Sequence, residues 1–444
     1  MNKNGLYCFF IVFFMTICVL LSGGMFFVQQ PKPRANEILT AKPLLKLPDG
    51  HVNKAYLQDV TNYVGDHFAF RANLITAHNV MLSHLFHTSA SKDVVLGKEG
   101  WLYYKQTEND YLGKNVMTEQ QIENVAHTLH MIQQYVTQNG SQFLFFIAPN
   151  KNSLYGEYMP YSAHIFSEQS NAENLIAELQ KQDVNYIDFF TIFGQKEEIL
   201  YHKWDTHWNN KGAALARDSI MRDLGIEDGL QWYDENCSVV KNHKGDLYEM
   251  LYPMGKQLDD NVIFERDFYY TADNEIHSAE DIQIDTTNES KEHSLLLFRD
   301  SFGNALYPFL ADSFGHSRFS RKMPYTITMM NELGADVVLI EIVERNIANL
   351  AKYAPVFPSP EVELDITQMT QCDANIELQQ SDMEGYCCMK GSVSEYGAVY
   401  IQWQDKYYEA FPVGDAEGQA FTAYVPEGTE TDLKAVFVQS RIES

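Results

Sequence analysis

The segment KWDTHWNNKGA places Asp205 and His207 two residues apart, between two tryptophans. A carboxylate beside an imidazole can accept the Nδ1 proton, fix the histidine tautomer and stabilise the imidazolium that forms when Nε2 takes up a proton. The pair can therefore act as a general base with its orienting group. Two other interpretations stay open: a polar loop held by the tryptophans, or two metal ligands that would support phosphoester hydrolysis.

A second segment, LLLFRDSFGNALYPFL, places Ser301 where a strand over 294–298 gives way to a helix that starts near Phe302. A hydroxyl at the end of a parallel strand projects into the crevice above the sheet. Backbone N–H groups near Ser301 and Phe302 can hold a developing oxyanion. The same position suits a helix cap. Because a serine nucleophile needs a base, and the base an orienting group, the presence of both segments favours catalysis.

Alternating helices and strands surround these two segments. Thr118 and Gln121 form a capping box, and the apolar spacing that follows predicts a helix as far as Gly140. Short, continuous apolar runs are typical of strands buried on both faces of a parallel sheet. The pattern predicts an α/β fold, a parallel sheet flanked by helices. The predicted elements are strands over 143–148, 184–189, 294–298 and 336–343, a helix over 171–182 and an insertion loop over 271–293.

The ends of the chain differ from this middle part. Residues 1–30 contain an apolar run without charge that is long enough to span a membrane, so we expect a retained anchor, with a cleaved signal sequence as the alternative. Residues 31–52, rich in proline, predict a linker. Residues 53–357 then form the catalytic domain. Short alternating segments within 358–444 predict a small β-sandwich that could bind carbohydrate.

Composition limits the partners. The chain has 444 residues, is 45% hydrophobic and carries a net charge of −27. This composition excludes disorder, and the acidic surface makes nucleic acid an improbable partner. The charge also disfavours a strongly anionic polymer, so a near-neutral acceptor fits better. In the tail, Trp403, Tyr407 and Tyr408 are sugar-stacking candidates as well as candidates for the sandwich core. Cys372 could form a disulfide with Cys387 or Cys388, or stay free.

The order D-x-H-W, then D-S-F-G, with DHFAFR and WLYY upstream, resembles the alginate O-acetyltransferase-like (AlgX/AlgJ-like) group of the SGNH hydrolase superfamily, and more narrowly the bacterial DHHW proteins. The resemblance spans about 53–351. It implies an SGNH-hydrolase-like sheet, with Ser301 as nucleophile, His207 as general base and Asp205 as its orienting group. It implies no cofactor and no metal. Thr206 departs from the pattern, which has a second histidine there.

Four residues are substrate-binding candidates, each with a structural alternative. Tyr307 matches a family tyrosine near the active site and could instead pack in the core. Asn150 and Lys151 follow a strand end and could donate to an oxyanion or belong to a polar loop. Arg345 could bind substrate or pair with Glu341, and we favour the pair. Three early motif residues are expected to be structural: Asp66, His67 and Arg71.

Together these features predict a serine O-acyltransferase in the bacterial cell membrane, single-pass, with its catalytic domain outside the cytoplasm. It would move an acetyl group to a cell-surface polysaccharide through an acyl-serine. The resemblance implies a multi-spanning acyltransferase partner that passes acyl groups across the membrane. Two alternatives remain: an acetyl esterase with the same triad, and a non-catalytic polysaccharide-binding or scaffold protein of an export complex.

Overall fold

The computed structural model describes residues 3–25, 27–28, 39–160, 164–167, 169–414 and 419–439. Residues 31–38 of the predicted linker therefore lie outside the described residues. Within the described ranges the helices are α1 (Lys3–Gly24), α2 (Tyr56–His67), α3 (Arg71–Phe86), α4 (Glu108–Tyr111), α5 (Glu119–Gln138), α6 (Lys151–Leu154), α7 (Asn171–Lys181), α8 (Phe189–Gly194), α9 (Asn210–Asp223), α10 (Asp246–Leu251), α11 (Gly303–Ala311) and α12 (Met329–Leu333).

The strands follow the same chain order. They are β1 (Val94–Leu96), β2 (Leu102–Tyr104), β3 (Gln142–Ala148), β4 (Tyr186–Ile187), β5 (Cys237–His243), β6 (Asp259–Phe264), β7 (Thr271–Ala272), β8 (Gln283–Thr287), β9 (Ser294–Phe298), β10 (His316–Ser320), β11 (Val337–Val343), β12 (Glu361–Val362), β13 (Thr370–Cys372), β14 (Asn375–Gln380), β15 (Tyr386–Val393), β16 (Ala398–Trp403), β17 (Lys406–Glu409), β18 (Phe411–Val413), β19 (Gln419–Pro426) and β20 (Leu433–Gln439).

In the described part of the chain, the central sheet has the order β4-β3-β11-β9-β10-β8-β7. The pairs from β4 to β10 are parallel, and β8 and β7 add antiparallel strands at one edge. One face packs on α5, α7 and α12, and the other on α8, α9 and α11. Because both faces are covered, β9 and β11 are buried at every residue. The predicted α/β fold is confirmed.

Two local predictions were wrong. The stretch 271–293 is not only a loop, since it supplies β7 and β8 to the edge of the sheet. Polar residues fit here because β7 is the edge strand and β8, next to it, buries only alternate side chains. The predicted strand at 184–189 is only β4, because the Asp188 side chain accepts from the Thr191 N–H and starts α8 there. The capping box of Thr118 and Gln121 on α5 is confirmed.

The end of the chain is strand-rich, as predicted. One sheet has the order β12-β17-β16-β20-β13 and the other β14-β15-β19-β18, with a common apolar core. Trp403 and Tyr408 are buried in that core, which agrees with the sandwich-core alternative and leaves neither ring free to stack on sugar. Tyr407 is half-buried and contacts Phe437 edge-on. The cysteines are free, including Cys372, Cys387 and Cys388.

The amino-terminal helix α1 contains one stretch, Gly5–Gly24, that is long and apolar enough to cross a membrane, with a mean hydropathy of 2.4. Its side chains are largely exposed, so the folded domain does not bury them. A helix of this kind fits either a membrane anchor or a signal sequence.

Candidate active site

The loop between α8 and α9 holds Asp205 and His207. It closes on itself through an antiparallel bridge between Tyr201 and Trp208, with the Asn209 N–H donating to the Leu200 carbonyl at 2.8 Å. The Asn209 side chain then caps α9 by accepting from the N–H groups of residues 211 and 212. The loop is therefore fixed at both ends, and its polar residues project toward the sheet.

Ser301 follows β9 and precedes α11, at the carboxyl end of the parallel strands. Trp208 joins this turn to the loop: its indole N–H donates to the Phe302 carbonyl at 3.1 Å, and its ring packs edge-on against the Phe302 ring. The Phe302 ring also lies 4.9 Å from the His207 ring. Two segments separated by about ninety residues meet here because these aromatic side chains pack together.

The structure brings Ser301, His207 and Asp205 into one hydrogen-bonded row. The Ser301 Oγ lies 2.9 Å from His207 Nε2, and His207 Nδ1 lies 2.6 Å from Asp205 Oδ1. With Nδ1–H donating to the carboxylate, Nε2 carries the lone pair that can accept the serine proton. The arrangement can therefore activate a serine hydroxyl for attack on a carbonyl.

Further hydrogen bonds hold the Asp205 carboxylate. Its Oδ2 accepts from His243 Nε2 and from the Asp246 N–H, each at 3.0 Å. The backbone approaches closely at Gly245, where a Cβ would lie 2.2 Å from the Trp204 carbonyl oxygen, so a larger residue would push Asp246 away. Neither His243 nor Asp246 was identified from the sequence.

Thr206, the residue that departs from the DHHW pattern, joins Asp246 to the imidazole. Its hydroxyl donates to Asp246 Oδ2 at 2.7 Å and lies 3.0 Å from His207 Nδ1, while its N–H donates to Asp246 Oδ1. Asp246 Oδ2 is 3.9 Å from His207 Nδ1. A threonine hydroxyl and a second carboxylate therefore lie where a second histidine was expected.

The electrostatics favour a charged pair. Burial opposes ionisation of Asp205, but the charges and hydrogen bonds of His207 and His243 outweigh it and hold the pKa of the carboxyl well below its usual range. Burial likewise opposes protonation of His207, yet the charge and hydrogen bond of Asp205, helped by Asp246, raise the pKa of the imidazole. Burial and the neighbouring Asp205 charge raise the pKa of Asp246 to about 6.

We expect Asp246→Asn to shift the acid limb of the pH–rate profile to lower pH. A general base works in its neutral form, and the Asp246 charge raises the pKa of His207, so removal of that charge lowers the pKa of the imidazole. The difference in kcat/KM between the variant and wild type should be largest above pH 6, where wild-type Asp246 is ionised. The pH dependence of kcat/KM measures it. Glu249→Gln, on the same helix, should leave the profile unchanged, and an upward shift in Asp246→Asn would contradict the assignment.

Beneath the serine, the half-buried Asp300 and the buried Glu341 fix the turn. Asp300 accepts from the N–H groups of Phe302 (2.9 Å) and Val343 (2.8 Å), and its own N–H donates to Glu341 at 2.8 Å. Burial and the Asp300 charge raise the pKa of Glu341 well above its usual range. Because the Phe302 N–H is occupied, it does not fit the expected oxyanion role. Among the described groups, none accepts from the Ser301 N–H.

Arg345 lies beside the triad rather than on Glu341. Its guanidinium carbon is 5.5 Å from the Tyr104 ring and 5.7 Å from the Phe302 ring. Among the described residues no carboxylate forms an ion pair with it, so the favoured pair with Glu341 does not form. Arg345 is thus a half-buried cation beside Phe302, the residue after Ser301. This position agrees with the substrate-binding prediction, which stays a prediction.

The structure gives the other predicted substrate residues internal contacts. Lys151 is buried, and its Nζ donates to the carbonyls of His202, Lys203 and Asp205, so it supports the loop and cannot donate to an oxyanion. Asn150 is also buried, and its side-chain amide faces Asp110 at 3.3 Å.

Tyr307 packs against Phe319 and Tyr270, with ring centroids at 5.5 and 6.4 Å, which agrees with the core-packing alternative. The early motif is structural, as expected: Asp66 accepts from the N–H and hydroxyl of Thr40, and Arg71 lies 3.9 Å from Asp66.

Asp205, His207 and Asp246 could also hold a metal ion, since one ligand atom from each lies within 4.8 Å of the others. A metal at His207 Nδ1 would replace the contact with Asp205. We expect a strong chelator to leave ester cleavage unchanged, because the serine pathway uses only proton transfers. Activity before and after chelation and dialysis measures this. Loss of activity that zinc restores would favour the metal interpretation.

Residues 94–303 match a family model described as SGNH hydrolase-like domain, acetyltransferase AlgX. This segment is similar to the SGNH hydrolase-like domain of the AlgX family. The match covers Asp205, His207 and Ser301 and confirms the resemblance drawn from the motifs, whereas Tyr307 and Arg345 lie beyond it. No curated protein matches the chain by sequence.

Three solved structures are similar to this one over more than half of the chain. PatB1 of Bacillus cereus, solved with a sulfonyl adduct, is 18% identical with a TM-score of 0.46, over 58% of this chain and 97% of that one. A DHHW family protein from Eubacterium siraeum is 17% identical with a TM-score of 0.43, over 57% and 91%. AlgX of Pseudomonas aeruginosa is 12% identical with a TM-score of 0.39, over 78% and 90%. Similarity at this level is weak, so the assignment rests on the family model.

Proposed function

We propose that the SGNH hydrolase-like domain is an O-acyltransferase that moves an acetyl group to a hydroxyl of a near-neutral cell-surface polysaccharide through an acyl-serine at Ser301. The observation that carries the proposal is the row Ser301–His207–Asp205, with contacts of 2.9 and 2.6 Å, inside a domain that matches an acetyltransferase family.

The proposed reaction has two halves. His207 Nε2 removes the proton of Ser301, and the Oγ attacks the donor carbonyl while Asp205 stabilises the imidazolium. The imidazolium protonates the leaving group, which departs and leaves acetyl-serine. His207 then deprotonates a sugar hydroxyl, which attacks the acetyl carbonyl and regenerates Ser301. Water in place of the sugar gives an esterase, and the outcome depends on how well the occupied site excludes water.

A groove lined by Trp204, the residue before Asp205, suits an uncharged sugar chain. It has a volume of about 860 Å³, and its wall includes Trp204, Tyr248 and Tyr252. Trp204 precedes Asp205 and stacks on Tyr248, with ring centroids 5.0 Å apart. Lys98 and Glu99, the charged residues of the lining, offset each other. Aromatic rings with neutral surroundings favour stacking on sugar rings over binding of a polyanion.

We expect Tyr252→Ala to raise KM for an oligosaccharide acceptor about tenfold, since the loss of one ring contact costs about 1 kcal/mol. Hydrolysis of a small acetyl ester should stay within about twofold of wild type, because this ring does not touch the triad. The acceptor probe is a panel of uncharged hexose oligosaccharides. Tyr269→Ala removes an exposed tyrosine outside the groove lining and serves as the control. Equal KM values for both variants would place the acceptor elsewhere.

The helix α1 is long and apolar enough to anchor the chain in a membrane, and we propose that the domain lies outside the cytoplasm. An enzyme there has no adjacent pool of cytoplasmic acetyl-CoA, so the proposal includes a multi-spanning acyltransferase partner that delivers the acetyl group across the bilayer.

Incubation with an activated acetyl ester, followed by intact-mass measurement, tests the class of protein. We expect one added acetyl group on Ser301, and its transfer to the oligosaccharide when acceptor is present. Release to water whether or not acceptor is present would favour the esterase. No adduct and no ester cleavage would favour a non-catalytic polysaccharide-binding or scaffold protein.

A further inference from the structure

The helices α2 and α3 expose apolar side chains that the folded domain does not cover. The helix α2 has no buried residue, and in α3 the one buried residue is the polar Asn79. Leu74, Met81 and Leu85 recur at spacings of seven and four, so they share one face of α3. They are 47%, 49% and 67% exposed. Exposed apolar side chains grouped in this way mark a surface that a partner covers.

The corner between these helices touches the end of α1. The Ala69 N–H donates to the Leu21 carbonyl at 3.2 Å. The contact is close because position 24 is glycine: a Cβ there would lie 2.6 Å from the Ala69 Cβ. Leu21 belongs to the stretch Gly5–Gly24, three residues and thus about 5 Å from its end. If that stretch spans a bilayer, the corner lies at the level of the lipid headgroups.

The charge distribution agrees with a membrane on this side. Residues 56–86, which hold α2 and α3, contain Asp59, Asp66 and Arg71, a net charge of −1, whereas the whole chain carries −27. An anionic bilayer therefore repels these two helices far less than it repels the rest of the chain. The corner residues Phe68 and Phe70 are aromatic, and Phe70 is 52% exposed, as suits the interface.

We propose that α2 and α3 form an interfacial platform. It rests on the membrane–water interface that faces away from the cytoplasm, with the apolar face of α3 in the lipid. The inference builds on the anchoring part of the proposed function. The opposite face of α3 lines the groove, through Thr76, Ser83 and His87. The platform would therefore hold the groove at a fixed height above the bilayer, where a membrane-bound donor can reach it.

Fluorescence quenching in lipid vesicles tests the platform. The full chain is reconstituted in vesicles of equal parts phosphatidylcholine and phosphatidylglycerol that carry bromine near the headgroup. Leu85→Trp and Met81→Trp place a probe on the apolar face, and Ile282→Trp, at a site that is 70% exposed, is the control. The wild-type protein supplies the background signal of its native tryptophans.

We expect the signals of Leu85→Trp and Met81→Trp to lose about half their intensity in brominated lipid, because interfacial helices bury their apolar face 5–10 Å deep. The Ile282→Trp signal should not change. If the protein floats with the vesicles but brominated lipid does not quench the probes, the platform is overturned. If the probes are then also shielded from aqueous iodide, a protein partner covers the face. Protein that does not float would overturn both anchoring and platform and leave acyl transfer at Ser301 unaffected.

Discussion

Replacement of Ser301 by alanine should abolish acetyl transfer and ester cleavage together. The Oγ lies 2.9 Å from His207 Nε2 and is the atom that would carry the acetyl group, so its removal leaves no site for the intermediate. We expect the rate to fall by at least about 10⁴-fold, since loss of one triad member removes most of the catalysis that the triad provides. Single-turnover assays with an activated acetyl ester measure the loss, and intact mass shows whether any adduct remains.

Ser278→Ala is the matched control, because Ser278 is exposed in the segment that precedes β8 and takes no part in the row. It should acetylate and turn over like wild type. An acetyl adduct of equal yield in Ser301→Ala would show that another residue is the nucleophile. The thermal midpoint of Ser301→Ala should match wild type, which separates lost chemistry from lost folding.

Ser301, His207 and Asp205 could be predicted from the sequence because each lies in a segment whose local pattern indicates a strand end or a helix start. Ser301 follows a continuous apolar strand and precedes a helix, and Asp205 and His207 precede the cap of α9. Their meeting could be inferred only from chemical complementarity. The aromatic contacts of Trp208 with Phe302 that bring the segments together depend on the tertiary fold.

The surroundings of the row could not be predicted in the same way. His243 and Asp246 lie about forty residues along the chain from Asp205, after an exposed strand with no apolar periodicity. Lys151 follows a strand end, as a substrate-facing residue would, but its side chain turns back to three loop carbonyls. A strand end fixes where a residue sits, whereas the direction of a long side chain depends on which partners are near it.

Replacement of Asp205 by asparagine should lower kcat by about 10³–10⁴-fold with little effect on KM, because the carboxylate acts mainly as the imidazolium forms. An amide N–H facing Nδ1 favours the tautomer that carries its proton on Nε2, and that nitrogen then cannot accept the proton of Ser301. Since the pKa of Asp205 lies well below its usual range, the carboxylate stays ionised throughout the acid limb, and that limb reports His207. Pre-steady-state acetylation of the variant and of Asp260→Asn, an exposed aspartate paired with Lys241, gives the comparison.

Asp246 makes the Asp205 result informative, because its Oδ2 is a second carboxylate oxygen only 3.9 Å from His207 Nδ1. If Asp205→Asn lost less than about tenfold, Asp246 would be orienting the imidazole, and the double variant with Asp246→Asn should then fall much further than the two single effects predict. If Asp205→Asn shows the full loss, Asp246 only adjusts the pKa of His207, and the double variant should resemble Asp205→Asn. The two outcomes identify which carboxylate works with His207, although both contact the same loop.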